Sequence, residues 1–271
     1  MNGLTNIIQN SGLAGIAQGA SRGVVNAIAS ASASTGVDFA YLVQQAKAES
    51  SFNPSAQAKT SSASGLFQFI ESTWESMIEK YGDKHGIDTA GKSRDELLAL
   101  RKDPVVASNM AAEFAGENER FLERNYGGDI GSTELYFAHF MGAGGAASFL
   151  NAKDANGSDP AAVLFPKAAA ANKNVFYESG SGRAKSLDEV YAFFDAKFSV
   201  KDAAPIEDAQ PVSVVYASAD KATPNYNGLY NPEHVAAQSP LSSSLPFYDL
   251  VHSPLEIMLL SQLESPWSND S

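Results

Sequence analysis

The sequence predicts a mainly α-helical protein: one folded domain over residues 35–200 followed by a disordered tail. Three observations lead there. Apolar residues recur at helical spacing, with short Gly and Ser breaks between runs. Alternating runs that would mark strands are scarce. After residue 200 the composition changes: eight of the 12 prolines lie there, and nine acids face only Lys201 and Lys221. Such a segment has too little apolar surface to offset the entropy of folding. At 271 residues the chain has room for one sizeable domain with extensions, or two small ones.

Taken in order, residues 1–34 are small, polar and alanine-rich, and read as a flexible segment with a loosely packed helix at most. Their first basic residue is Arg22, and Asn, Gln, Ser and Gly interrupt each apolar stretch. A secretory signal with a charged start and a continuous apolar run is therefore not expected. From Val37, the residues Phe39, Leu42, Val43 and Ala46 form the buried stripe of an amphipathic helix. Continuing that stripe lands on Glu49 and Ser50, so a carboxylate stands where a core residue is called for. Asn53-Pro54 is expected to end the helix, since proline disfavours helical geometry in the residue before it.

A Ser/Ala-rich loop, SAQAKTSSAS, leads to Gly65 and then to Leu66, Phe67, Gln68, Phe69, Ile70 and Trp74, read as a helical segment. Glu71, Glu75 and Glu79 form its solvated face. ELYFAHFMGAGGAASFL reads as an aromatic helix breaking into a glycine-rich turn. The domain continues through a loop containing AKDANGSDP and GSGR and ends in SLDEVYAFFDAKF. There Ser186 and Glu189 predict a capping box, and Leu187, Val190, Tyr191 and Phe194 a buried stripe. In the tail, 201–271, Leu255, Met258, Leu259 and Leu263 predict a short apolar helix near 254–264.

Composition narrows the function classes. A net charge of −12 argues against a general nucleic-acid binder. The absence of cysteine removes disulfides and thiolate chemistry, and with four histidines no metal site is expected. No apolar run is long enough to span a membrane. A carboxylate on an apolar face near a helix C-terminus has its charged form disfavoured by desolvation and by the helix dipole. Both effects raise its pKa, as a general acid working near neutral pH requires; taken alone, Glu49 also reads as a helix-end acid that turns out to solvent. General acid chemistry often pairs two carboxylates. Asp83, Asp103, Glu113 and Glu134 are available, but none sits in a motif that marks it.

The stretch ESSFNPSAQAKTSSASGLFQFIESTW resembles the signature of the soluble lytic transglycosylases (glycoside hydrolase family 23, lysozyme-like). Its parts are Glu-Ser, an Asn-Pro turn, a loop, and Gly-Leu-Met-Gln, here Gly65-Leu66-Phe67-Gln68, with Gln68 following Glu49 by 19 residues. The third family element, Ala-Tyr-Asn-Ala-Gly-Pro-Gly, stands here as Ala138-His139-Phe140-Met141-Gly142-Ala143-Gly144. His139 and Phe140 replace the tyrosine and asparagine, as in the alphaproteobacterial, flagellum-associated variant. The resemblance covers roughly residues 35–198.

It implies a lysozyme-like fold and cleavage of the β-1,4 bond between N-acetylmuramic acid and N-acetylglucosamine in peptidoglycan, without a metal or organic cofactor. Glu49 would be the catalytic acid and then base, closing a 1,6-anhydro ring. The alternatives are a hydrolytic muramidase with a second acid, and a peptidoglycan-binding or assembly protein without catalysis. Ser50, Phe67, Gln68, His139 and Tyr191 are the candidate substrate contacts. Each has another reading beside it: orienting the Glu49 carboxylate or satisfying the helix-end backbone for Ser50, loop bridging for Gln68, packing for the other three. His85, His234 and His252 fit no constellation. The resemblance also implies a periplasmic site reached without a signal peptide, by flagellar or type III-like export guided by residues 1–34; a prophage origin is the alternative. The tail would dock a flagellar rod or secretion-system protein, fold back on the domain, or gate the groove.

Overall fold

The computed structural model describes residues 17–59 and 61–198; the apolar helix expected near 254–264 lies outside them. The described residues divide into two compact units. Unit 1 comprises 17–57 and 62–114, and unit 2 comprises 115–198 with Ala58, Lys59 and Ser61. Both are helical; pairing outside helices is confined to isolated bridges among the described residues.

Unit 1 begins with α1, Arg22–Thr35. Ser21 caps it by accepting the Val24 N–H, and Gly36, at φ 83°, ends it by donating to the Ser32 carbonyl. Val24, Ala27, Ile28 and Ala31 form its buried stripe, and it packs on α2. The folded domain thus starts before residue 35, inside the segment read as flexible. Small alanines let the two helices approach without the bulky apolar signal that sequence reading looks for.

Helix α2, Phe39–Ser50, is capped by Asp38, whose carboxylate accepts the Tyr41 N–H at 2.7 Å. Every residue from Phe39 to Ala46 is buried, Gln44 and Gln45 included, so this is a central helix and not a one-faced one. It ends before Asn53-Pro54: Ser51 (φ 51°) and Phe52 (φ 65°) both take the left-handed conformation, and the Ser51 and Phe52 N–H groups turn back to the Ala46 carbonyl.

Helix α3, Glu71–Tyr81, buries Trp74, Met77 and Ile78, and Trp74 Nε1 donates to the Leu97 carbonyl at 2.7 Å. Its acids Glu71 and Glu75 pair with Arg94 on the surface. A 3₁₀ turn at Asp83–His85 follows, then α4, Arg94–Ala99, with a Ser93–Glu96 capping box, and a second 3₁₀ turn at Leu100–Lys102. Helix α5 runs from Pro104 to Asn125, with the Asp103 carboxylate accepting the Val105 and Val106 N–H groups; the division between the units falls within it.

Between these elements His85 joins a cluster that its isolation in the sequence concealed. His85 Nε2 and Lys84 Nζ each lie 2.7 Å from Glu113 Oε1, and Glu113 is buried. Burial pushes the Glu113 carboxyl up, but the hydrogen bonds from His85 and Lys84 outweigh it and hold the group below the usual glutamate range. A carboxyl lowered by folding adds stability above its unfolded pKa and loses it as pH falls through the folded value. Urea midpoints should therefore drop more for the wild type than for Glu113→Gln between about pH 5 and about pH 3; parallel curves would show that the cluster carries no such linkage.

Unit 2 holds α6, Ser132–Met141, α7, Ala143–Asn156, three short helices at Ala161–Leu164, Pro166–Ala171 and Lys173–Phe176 (α8 to α10), and α11, Leu187–Phe198. Helices α6, α7 and α11 pack together around an aromatic core. Phe137 stacks on Phe149 at 4.7 Å and meets Phe194 edge-on at 4.6 Å. The glycine-rich stretch is less of a break than expected: Gly142 alone, at φ 72°, divides α6 from α7, and Gly144 and Gly145 lie within α7. AKDAN likewise belongs to α7, not to a loop. The Ser186–Glu189 capping box is present, with Ser186 N–H donating to Glu189 and Glu189 N–H to Ser186 Oγ.

Candidate active site

Glu49 sits in the last turn of α2 and is 3% exposed, so the acid at the end of the apolar stripe does not turn out to solvent. The next residue ties the helix end to a distant turn. Ser50 Oγ donates to the Leu66 carbonyl at 2.7 Å, with the Ala46 carbonyl also within 3.2 Å. Of the two readings open for Ser50, its hydroxyl takes the backbone one.

Gly65–Phe69 is a turn, not the helical segment the apolar pattern suggested. Ser64 bridges antiparallel to both Gln57 and Phe69, and its N–H donates to the Phe69 carbonyl at 3.1 Å. Two left-handed residues make this possible: Gly65 at φ 86° and Gln68 at φ 49°. For glutamine that conformation is unfavourable and persists only where surroundings enforce it. The Gln68 amide supplies part of that enforcement, since Nε2 donates to the Gly65 carbonyl at 2.7 Å and approaches that of Ala56 at 3.4 Å. Its Oε1 is buried and has no hydrogen-bond partner among the described residues. Phe67 is 2% exposed, Phe69 7% and Trp74 0%, so all three are core; Phe69 meets Trp74 edge-on at 5.3 Å.

In unit 2, His139 lies half-buried near the end of α6, its ring 5.6 Å from that of Tyr136. Tyr191 is half-buried on α11. Its hydroxyl donates to Glu134 Oε1 at 2.5 Å, its ring stacks at 5.8 Å on Phe137, and Lys153 Nζ lies 4.7 Å from the ring centroid. Burial and the Glu134 carboxylate raise the Tyr191 pKa, so the phenol stays protonated. Unit 1 thus brings Glu49, Ser50, Phe67 and Gln68 into one connected structure, and unit 2 carries His139 and Tyr191.

Three of the four acids considered as a second carboxylate have structural partners. Asp103 caps α5, Glu113 holds Lys84 and His85, and Glu134 accepts the Gly131 N–H and the Tyr191 hydroxyl. Asp83 lies exposed in a 3₁₀ turn.

Sequence reading missed Arg101. This residue is 8% exposed and donates from Nη1 to the Ser62 and Phe69 carbonyls, at 2.6 and 3.1 Å, and from Nε to the Leu98 carbonyl at 3.0 Å. No local pattern in LALRKDP announces it.

Residues 26–127 match the family model of the transglycosylase SLT domain. The matched span starts within α1, earlier than residue 35, and ends before His139 and Tyr191. Lytic transglycosylase-type cleavage of peptidoglycan, on the cell-wall side, is the activity such a domain brings. No described helix is long and apolar enough to cross a membrane. The match takes in both the helix that bears Glu49 and the turn to which Ser50 ties it, and residues 26–127 carry a transglycosylase SLT domain, of the lysozyme-like lytic transglycosylase type.

Proposed function

We propose that the protein is a non-hydrolytic peptidoglycan lytic transglycosylase in which Glu49 is both acid and base. The observation that carries this reading is the burial of Glu49 at the end of α2, with Ser50 fastened to the turn that presents Gln68. The structural commitments of Asp103, Glu113 and Glu134 favour a one-acid reaction over a two-carboxylate hydrolase.

The Glu49 carboxyl donates its proton to the glycosidic oxygen, and the bond from that oxygen to C1 of N-acetylmuramic acid breaks. N-acetylglucosamine leaves with a free 4-hydroxyl, while the substrate's own acetamido oxygen bonds to C1. The Glu49 carboxylate then takes the proton of the C6 hydroxyl. O6 attacks C1, the acetamido oxygen is released, and a 1,6-anhydro ring closes. The nucleophile is tethered, so its effective concentration is high without a positioned water. Proton count balances, and Glu49 ends as it began.

Among the other candidates, Gln68 remains a proposed glycan contact; its Nε2 closes the turn, and its buried Oε1 is used by no described group. Ser50 serves by holding the turn. Phe67 is buried and is not retained as a sugar contact. His139 remains a proposed glycan contact. Tyr191, with its hydroxyl on Glu134, is proposed to support α6 and not to bind sugar directly.

A flagellar or related setting, with export through that apparatus and a partner at the tail, rests on the Ala138-His139-Phe140 strip. Retention of the protein in cells lacking the apparatus is the test. For the reaction itself, purified protein incubated with sacculi should release fragments one water lighter than hydrolytic products, seen by mass spectrometry. Full-mass reducing ends would establish a hydrolase instead, and an absence of fragments would favour the binding or assembly reading.

A further inference from the structure

The loop that carries Gln68 is closed at its mouth by a side chain from another part of unit 1. Ser62 and Phe69 bracket the turn, and the carbonyls of both accept from the same nitrogen, Arg101 Nη1. The Phe69 carbonyl accepts the Ser64 N–H as well, so one oxygen joins the bridge across the loop to the guanidinium. On the other side of the turn, Gly65 presses against the backbone of Arg101 itself: a Cβ built at Gly65 would stand 1.8 Å from the Arg101 carbonyl oxygen. The loop is therefore gripped by one residue through both its side chain and its main chain.

The acceptors of this buried cation are notable for what they are. All three are backbone carbonyls, on Leu98, Ser62 and Phe69. Desolvation depresses the Arg101 pKa, and a buried charge of this kind is costly unless its donors are used. A rigid planar fork justifies that cost where several carbonyls must be held in fixed relation, which a lysine with one nitrogen on a flexible stem does less well. What is held here is the segment in which Gln68 adopts φ 49° and from which the Leu66 carbonyl reaches Ser50, the neighbour of Glu49.

We infer that Arg101 is a positioning residue for the proposed reaction: through Ser62, Phe69 and Gly65 it sets the Gly65–Gln68 turn, and through Leu66 and Ser50 the end of the helix bearing Glu49. The inference rests on the catalytic reading of Glu49. It assigns Arg101 no contact with substrate.

The test compares full-length wild type, Arg101→Lys and Arg101→Gln on a soluble glycan tetrasaccharide, below the melting midpoint of every folded variant. Arg101→Gln should lose about 10- to 100-fold in kcat with KM changed little, as expected when a reacting group is misplaced and not removed. Arg101→Lys should recover part of the loss. Hydrogen exchange gives an activity-independent readout: in Arg101→Lys the Ser64 and Gly65 amides, bonded to the Phe69 and Ala56 carbonyls, should exchange faster while amides of α5 do not. Wild-type protein without cleavage would defeat the catalytic reading, whereas unchanged loop exchange would defeat the positioning role by itself. Full kcat in a folded variant overturns the inference. So does failure of both variants to fold, which would assign Arg101 to global stability alone.

Discussion

Glu49→Gln is expected to remain folded and to release no measurable fragments from peptidoglycan, a loss of at least about 10³-fold in turnover. The substitution keeps the size and shape of the side chain and removes only the transferable proton. Because Glu49 is almost wholly buried, with 3% exposure, no solvent-borne acid has ready access to replace it. A neutral amide in place of a buried carboxyl is not expected to lower the melting midpoint by more than a few degrees. The measurement pairs thermal unfolding with mass spectrometry of the soluble fraction, and it includes Glu113→Gln, whose carboxylate holds Lys84 and His85. That variant should lose stability near neutral pH, show a smaller drop on acidification than the wild type, and keep most of its activity. Turnover by Glu49→Gln within tenfold of wild type would remove Glu49 from the chemistry and reopen the search among the other acids.

The legibility of this site in the sequence followed the physics of each residue. Glu49 was readable because a period can be extended: Phe39, Leu42, Val43 and Ala46 define a face, and the acid falls on it. The same rule made α1 readable in principle, since Val24, Ala27, Ile28 and Ala31 repeat at the same spacing between Ser21 and Gly36. Its alanines carry little apolar weight, although they pack as closely as any residue, so the sequence marks it only as a loosely packed helix. Gly65–Phe69 misled for the opposite reason. Leu66, Phe69 and Ile70 fall at helical spacing, but two left-handed residues bend the chain, and an unfavourable φ at Gln68 leaves no composition signal. Arg101 lay beyond local reading, because two of the three carbonyls it holds are 39 and 32 residues away. Its neighbours Lys102 and Asp103 suggest a solvated run, and only the fold removes it from water.

Gly65→Ala should be among the most damaging single substitutions in unit 1, lowering stability by about 3 kcal/mol or more and abolishing activity. Two effects combine there. A non-glycine residue at φ 86° costs about 1–2 kcal/mol in backbone strain. The new Cβ would also stand 1.8 Å from the Arg101 carbonyl oxygen and 2.7 Å from its carbon, atoms of a main chain fixed between α4 and α5 that cannot swing aside as a side-chain tip would. Gly91→Ala supplies the comparison, because Gly91 has φ 72° and nothing within 4 Å of its Cβ position. It should show the strain alone, about 1–2 kcal/mol, with activity retained. The difference between the two denaturation midpoints therefore isolates the contact between turn and Arg101. Equal midpoints would mean that the Arg101 backbone yields without resistance, and a turn that can be displaced so easily is not what holds Gln68 and the end of α2 in place.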